Sequence, residues 1–264
     1  MEILKLLNIQ YKYPESLNNC LNNINFTVCD GETIGLIGPN GAGKTTLLKI
    51  ICGLIDEFSG DILIYGKQIQ KYSSIDLAKL ISYIPQMDNY VFDFTVEEIV
   101  TMGRRPYTNS FGILKPYDKK IVKEVIDMLG LTKIVKRKFL SLSGGERRLT
   151  LIARALAQET KIILMDEPTN NLDLNHKIIL MNKIIELNKS GKTIILISHD
   201  INLLSEYLNR IIFIKEGRVI NDGTVNNVLN EKSLKNIFEI KNFFICENKI
   251  TKKPNVFFIP EKEV

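Results

Sequence analysis

Apolar residues along this chain recur with two different periods. Short runs at Ile3–Ile9, Ile24–Val28 and Thr33–Ile37 have the length and β-branched content of strands, and the third ends in Gly38-Pro39-Asn40-Gly41-Ala42-Gly43-Lys44-Thr45-Thr46. Helical spacing takes over from Thr45 to Cys52 and stops at Gly53, so strand, loop and helix follow directly on one another. Asp61–Tyr65 and Leu80–Ile84 predict further strands, closed by Gly66 and by Pro85-Gln86. From Val96 to Ala157 the spacing is mostly helical, with breaks at Gly103, Pro106, Gly112, Pro116 and Gly130 and a Ser-Gly-Gly punctuation at Ser143–Gly145. This predicts a helical subdomain inserted over about 87–158.

Beyond it the two periods alternate. Lys161–Met165 predicts a fully apolar strand, Lys177–Lys189 a helix ended by Gly191, Thr193–Ile197 a strand, and Ile201–Leu208 a helix. Strands alternating with helices predict an α/β fold with a mainly parallel sheet. Arg210–Lys215 and Arg218–Asn221 flank Glu216-Gly217 as a hairpin, and Val225–Phe238 predicts a helix. One main domain over 1–240 and an extension over 241–264, whose pattern is weak, are expected.

Composition narrows the class. With 264 residues, 45% apolar and 25% charged, the chain can bury a sizeable core. A formal charge of +5 is modest, and the lysines of Lys115–Lys138 are scattered through a helical pattern, so a solvated face is expected and no nucleic-acid partner. Cys20, Cys29, Cys52 and Cys246 form no C-x-x-C pair or metal-ligand spacing, which fits a reduced compartment. Met1–Gln10 lacks the pattern of a secretory leader, and no run approaches the roughly 18 apolar residues of a spanning helix. Any membrane role therefore needs partner chains. Each motif occurs once, which excludes a tandem repeat.

The loop Gly38–Thr45 fits G-x-x-x-x-G-K-[ST], in which glycines let backbone N–H groups curl around phosphate oxygens and the following helix start adds partial positive charge. Lys44 is placed to meet the β- and γ-phosphates, and Thr45 to offer a hydroxyl to Mg²⁺. Ile162-Ile163-Leu164-Met165-Asp166-Glu167 delivers two carboxylates at a strand end, where open α/β sheets place ligands. Asp166 suits the Mg²⁺ shell, and Glu167 suits polarising the water that attacks the γ-phosphate. Ser143-Gly144-Gly145 precedes the helical run Arg147–Ala157, as a cap or as an anion-gripping helix start. His199 follows an apolar strand at the sheet edge, whereas His176 reads as an exposed helix start. Gln86 can offer its amide to Mg²⁺ and the attacking water. Tyr13, with Tyr11 as its rival, is the aromatic expected against the adenine ring.

In order, GPNGAGKTT, Gln86, LSGGE, IILMDEPT, NNLD and SHD resemble the full motif set of the ATP-binding-cassette (ABC) transporter ATPases over nearly the whole chain. The resemblance implies a P-loop NTPase core with an antiparallel β subdomain. It also implies two copies paired head to tail, with each ATP between one copy's phosphate loop (Gly38, Pro39, Asn40, Gly41, Ala42, Gly43, Lys44, Thr45, Thr46) and the other's Ser143-Gly144-Gly145. It makes Glu167 the catalytic carboxylate, His199 the switch histidine, Gln86 the coupling glutamine and Asp173 the link between the two sites. Phe94–Tyr107, chiefly Gly103-Arg104-Arg105-Pro106-Tyr107, is similar to the importers of iron chelates, haem and cobalamin. That implies integral-membrane permeases as partners, an external substrate-binding protein acting indirectly, and a place on the cytoplasmic face of the membrane. Glu146 stands where glutamine is commoner, and Arg148-Leu149 where glutamine and arginine usually follow. Cassettes that maintain DNA or assemble clusters are the alternative. The stretch between Gln86 and Leu142 shows no sustained heptads, and the cysteines are too far apart for a zinc module.

Overall fold

A computed structural model describes residues 1–86, 93–108, 113–170 and 172–260. The chain forms two compact units, Met1–Lys71 with Ile194–Val264, and Tyr72–Thr193. The first unit begins with β1 (Glu2–Tyr11), β2 (Leu21–Cys29) and β3 (Thr33–Ile37), then α1 (Lys44–Ile51), β4 (Ser59–Ile64) and β5 (Lys67–Gln68). The long strand β1 pairs antiparallel with β2 on one side and β4 on the other, and β5 continues from β4. Ile3, Leu4, Leu6 and Ile9 are fully buried, so this sheet has a genuine apolar core.

The second unit carries α2 (Ser74–Leu80), β6 (Ile81–Ile84), α3 (Val96–Met102), α4 (Pro116–Met128), α5 (Gly144–Ala157), β7 (Ile162–Asp166) and α6 (Leu174–Lys189). The helical insert expected over about 87–158 falls inside it, although Met87–Phe92 and Asn109–Gly112 lie outside the described residues. Helices α3, α4 and α5 pack on one another. Their joint is a buried ion pair. The Arg104 guanidinium, 2% exposed, binds Asp118 Oδ1 at 2.9 Å, Ala157 O at 2.7 Å and Glu159 Oε2 at 2.8 Å, and stacks over the Tyr107 ring. Gly103 is pressed so closely on this joint that a Cβ there would lie 2.1 Å from Arg154 O. Arg105, its neighbour, is exposed.

The chain then returns to the first unit with β8 (Thr193–Ile197, all but its first residue), α7 (Ile201–Tyr207), β9 (Arg210–Lys215), β10 (Arg218–Thr224), α8 (Val225–Val228), α9 (Glu231–Phe238), β11 (Phe243–Glu247) and β12 (Pro254–Phe258). Here β3 runs parallel to both β8 and β9, and β10 folds back on β9 as the expected hairpin. Parallel pairing of β8, β3 and β9, and of β6 with β7, beside an antiparallel sheet and a helical segment, matches the α/β architecture read from the sequence.

Two stretches differ from the pattern. The single helix expected over Val225–Phe238 is two, because Leu229 leaves helical geometry and the Asn230 side chain accepts from Ser233 N to start α9. The weakly patterned tail forms a hairpin, β11 against β12, that docks on α7. Asn202 exchanges two hydrogen bonds with the Val256 backbone, Ser205 donates to Pro254 O, and Lys253 donates to the Glu206 and Leu208 carbonyls. Residues 261–264 lie outside the described residues.

Candidate functional site

In the first unit the buried strand β3 aims Gly38–Thr46 into the start of α1. A Cβ at Gly38 would lie 1.9 Å from Ile214 O on β9, so only glycine fits there. Gly43 at the cap position has φ +94°, a left-handed geometry, and a Cβ would meet Cys20 O at 2.7 Å. With glycine as cap, α1 begins without a side-chain acceptor and without an acidic residue in its first turn. A helix start of this kind suits an anion. Lys44 is buried, and its ammonium donates to Gly38 O and Pro39 O at 2.8 Å each, folded over the loop it belongs to. Asn40 and Gly41 are exposed at the loop crest, and the Thr45 side chain is half-buried.

Of the two candidate aromatics, Tyr13 touches this loop, its hydroxyl 2.9 Å from Thr46 Oγ1. Tyr11 lies within β1 and packs edge-on against Tyr13 at 4.9 Å. Burial pushes the Tyr11 hydroxyl above its ordinary range, with the neighbouring Tyr13 adding to the shift. His199 is exposed between the end of β8 and α7, and the next residue, Asp200, caps α7 by accepting from Leu203 N.

The second unit gathers the other expected residues. Parallel β6 and β7 are in register with Ile84 beside Met165, so Pro85-Gln86 and Asp166-Glu167 leave the two strands side by side. Gln86 is exposed, while Asp166 and Glu167 are 1% and 3% exposed. Asp166 Oδ2 accepts from the Tyr83 hydroxyl at 3.3 Å, and its buried Oδ1 has no hydrogen-bond partner among the described residues. A buried carboxylate oxygen left in that state is costly unless something electropositive meets it. A carboxylate oxygen in that state suits a small hard cation. Glu167 has φ +50°, a left-handed backbone that a glutamate adopts only where its surroundings impose it.

Ser143 is the N-cap of α5, accepting from Glu146 N at 3.3 Å while Glu146 Oε2 accepts from Ser143 N at 2.8 Å. This reciprocal box explains the glutamate at position 146. Its carboxyl is held below the usual range, chiefly by the Ser143 backbone donor. The signature glycines meet the next motif directly, since a Cβ on Gly145 would touch Leu172 at 3.6 Å. Asp173 caps α6 through His176 N at 2.9 Å and His176 Nδ1 at 2.8 Å, and the backbone donor is the main reason its carboxyl sits low. His176 is at an exposed helix start. Asn171 of the Asn170–Asp173 motif lies outside the described residues.

Three residues of this region were not singled out for a role from sequence. Glu146 was detectable, because Ser-x-x-Glu before a helical run is the spacing of a capping box. Tyr83 and Arg148 were not, since their partners are distant in the chain: Tyr83 meets Asp166, and Arg148 meets the carbonyls of Pro85, Asp166 and Pro168.

Comparison with known proteins bears on the whole arrangement. The family described as ABC transporter matches residues 21–170. The petrobactin import ATP-binding protein FpuC of Bacillus anthracis is 38% identical over 230 residues, 87% of this chain and 85% of that protein. The iron(3+)-hydroxamate import ATP-binding protein FhuC of Bacillus subtilis (strain 168) is 36% identical over 235 residues, 89% of this chain and 87% of the relative. Among solved structures, an inward-facing transporter described as metal-chelate type superposes with a TM-score of 0.83 at 29% identity, covering 98% of both chains.

Proposed function

The chain belongs to the ABC transporter family, and on that premise we propose that it is the motor subunit of an importer of metal chelates of the iron-siderophore, haem or cobalamin class. As a member of that family it binds and hydrolyses ATP. The chelate class rests on one observation: two relatives, matched over 85% and 87% of their own length, are named for import of petrobactin and of iron(3+)-hydroxamate. Among the described residues no helix is long and apolar enough to cross a membrane, so the path for the cargo belongs to permease subunits. The chain sits on the cytoplasmic face of the membrane against those subunits and takes no part in nucleic-acid binding. An external substrate-binding protein meets only the permease.

The nucleotide-binding domain spans 1–240, with the helical insert over about 87–158 gripping the permease and 241–264 as an extension. In the working cycle the uncapped N–H groups at the start of α1 and the Lys44 ammonium take the triphosphate, exchanging the Gly38 and Pro39 carbonyls for phosphate oxygens. Tyr13 offers its ring to the adenine. Thr45, Gln86 and the Asp166 carboxylate would hold Mg²⁺, which would supply positive charge to offset that developing on the phosphates. Glu167 orients and polarises the attacking water, and His199 contacts the γ-phosphate from the strand end. A second copy supplies Ser143, Gly144 and Gly145 to the same nucleotide, and Asp173 links the two sites. Closure of two copies on ATP then reopens on hydrolysis, because the ligand favours the closed pair only by its differential affinity.

Uptake assays test the reading. In a strain lacking this chain, uptake of radiolabelled ferric siderophore, haem or cobalamin is expected to fall to background, and to return with the wild-type gene but not with Lys44→Ala. Unchanged uptake of all three cargoes in the deletion strain rules the chelate reading out.

A further inference from the structure

Arg148 replaces the glutamine that usually follows the signature, and its side chain is buried, only 5% exposed. It projects from α5, five positions beyond the cap Ser143. The guanidinium is a planar fork with five donors, so a single side chain can address several carbonyls at once in a fixed geometry. Here Nε donates to Pro168 O at 3.1 Å and Nη2 to Asp166 O at 2.6 Å. Nη1 donates to Pro85 O and, at 3.5 Å, towards Gln86 O. One arm therefore holds the chain leaving β6, and the other two hold the chain leaving β7. The atoms gripped are the backbone of Gln86 and Asp166 themselves and the residues directly preceding Gln86 and following Glu167.

We propose that Arg148 is a positioning residue that fixes Gln86, Asp166 and Glu167 relative to the signature helix, so that the water-handling groups of one nucleotide site and the Ser143–Gly145 offered to the other move as a single piece. The proposal rests on the ATPase reading given above. An amide at this position offers two donors against the guanidinium's five, and the guanidinium spans both strand exits. The four carbonyls that the fork holds all belong to the strand exits and none to the phosphate loop, so nucleotide capture and hydrolysis respond differently to its loss. Misplacement of a reacting group by about 1 Å costs on the order of 100-fold in rate, which sets the scale of the effect.

The test compares wild type with Arg148→Gln, Arg148→Lys and Leu151→Ala. The last trims a buried side chain on the same helix, outside the site, and matches the loss of thermal stability. Steady-state ATP turnover, equilibrium binding of a fluorescent ATP analogue in EDTA, and thermal midpoints are measured. Arg148→Gln is expected to lower kcat by about 10- to 100-fold while analogue affinity stays within about twofold. Arg148→Lys is expected not to rescue, because a single ammonium cannot span both exits. Leu151→Ala is expected to keep its kcat. A fall in kcat of less than about tenfold, full rescue by lysine, or an equal fall in Leu151→Ala would overturn the assignment. Should Arg148→Gln fail to fold, Arg148→Lys, which keeps the charge, carries the same comparison. Absence of turnover in the wild type would instead overturn the ATPase reading beneath it.

Discussion

The two units shape their candidate functional residues by different physical means. In the first, the phosphate loop is shaped by the main chain: Gly38 because β9 leaves no room for a Cβ, Gly43 because of its left-handed backbone, and α1 because its start has no side-chain cap. In the second, side chains do the shaping. Ser143 with Glu146 and Asp173 with His176 close the starts of α5 and α6, Tyr83 holds one Asp166 oxygen, and Arg148 gathers four carbonyls. A loop made of main chain tolerates almost no substitution but is rigid in advance. A site made of caps and forks can be tuned one bond at a time, which suits the part of a motor that must shift between states.

The largest effect that would sharpen this contrast belongs to Glu167→Gln. Removing one general base is expected to lower ATP turnover by about 10²- to 10⁴-fold. Binding of a fluorescent ATP analogue is expected to be unchanged, and near-normal turnover would take the role away from Glu167. Gly38→Ala comes next, because the new methyl lies 1.9 Å from the Ile214 carbonyl and the strand must move. Overpacking of this kind costs about 1–3 kcal/mol, to be read from urea unfolding, with ATP affinity falling in parallel. Retained stability and affinity would show that β9 yields, and the contrast between the units would fail.

Ser143→Ala tests the second unit on its own terms. Loss of the cap is expected to cost about 1 kcal/mol of stability and to leave nucleotide affinity of the isolated copy intact, measurable by the same two assays. The smallest effect is pH-dependent. The Ser143 backbone donor holds the Glu146 carboxyl low in the folded state, so its contribution is complete above the unfolded value and is lost as pH falls through the lower folded one. Wild type and Glu146→Gln are therefore expected to differ in stability above about pH 5 and to converge below the ordinary glutamate range near about 4.3. A gap that persists or widens in acid would remove the capping role from the carboxylate.

The same contrast governs how much was legible in the sequence. Glycines forced by backbone geometry announce themselves at fixed spacings, and the apolar runs of β3, β7 and β8 are uniform enough to place each motif at a strand end. The bonds of the second unit join residues far apart in the chain, as Arg148 to Pro85 or Tyr83 to Asp166, and no local period encodes them. The split of α8 from α9 escaped because Asn230 looks like a polar face residue until its side chain is seen to cap a new helix. The tail hairpin escaped because much of its docking is polar, through Asn202, Ser205 and Lys253, and hydropathy is blind to that.

The buried joint at Arg104 carries a lesson about its neighbour. Two arginines stand side by side in Gly103–Tyr107, one sealed under 2% exposure with Asp118 and Glu159 and the other open to solvent. Cutting the first strands a carboxylate in the interior, a loss of about 3–5 kcal/mol for buried pairs. Cutting the second leaves that interior untouched. The stretch Gly103–Tyr107 is thus half keystone and half free surface, and substitution can act on Arg105 without disturbing the masonry beneath it.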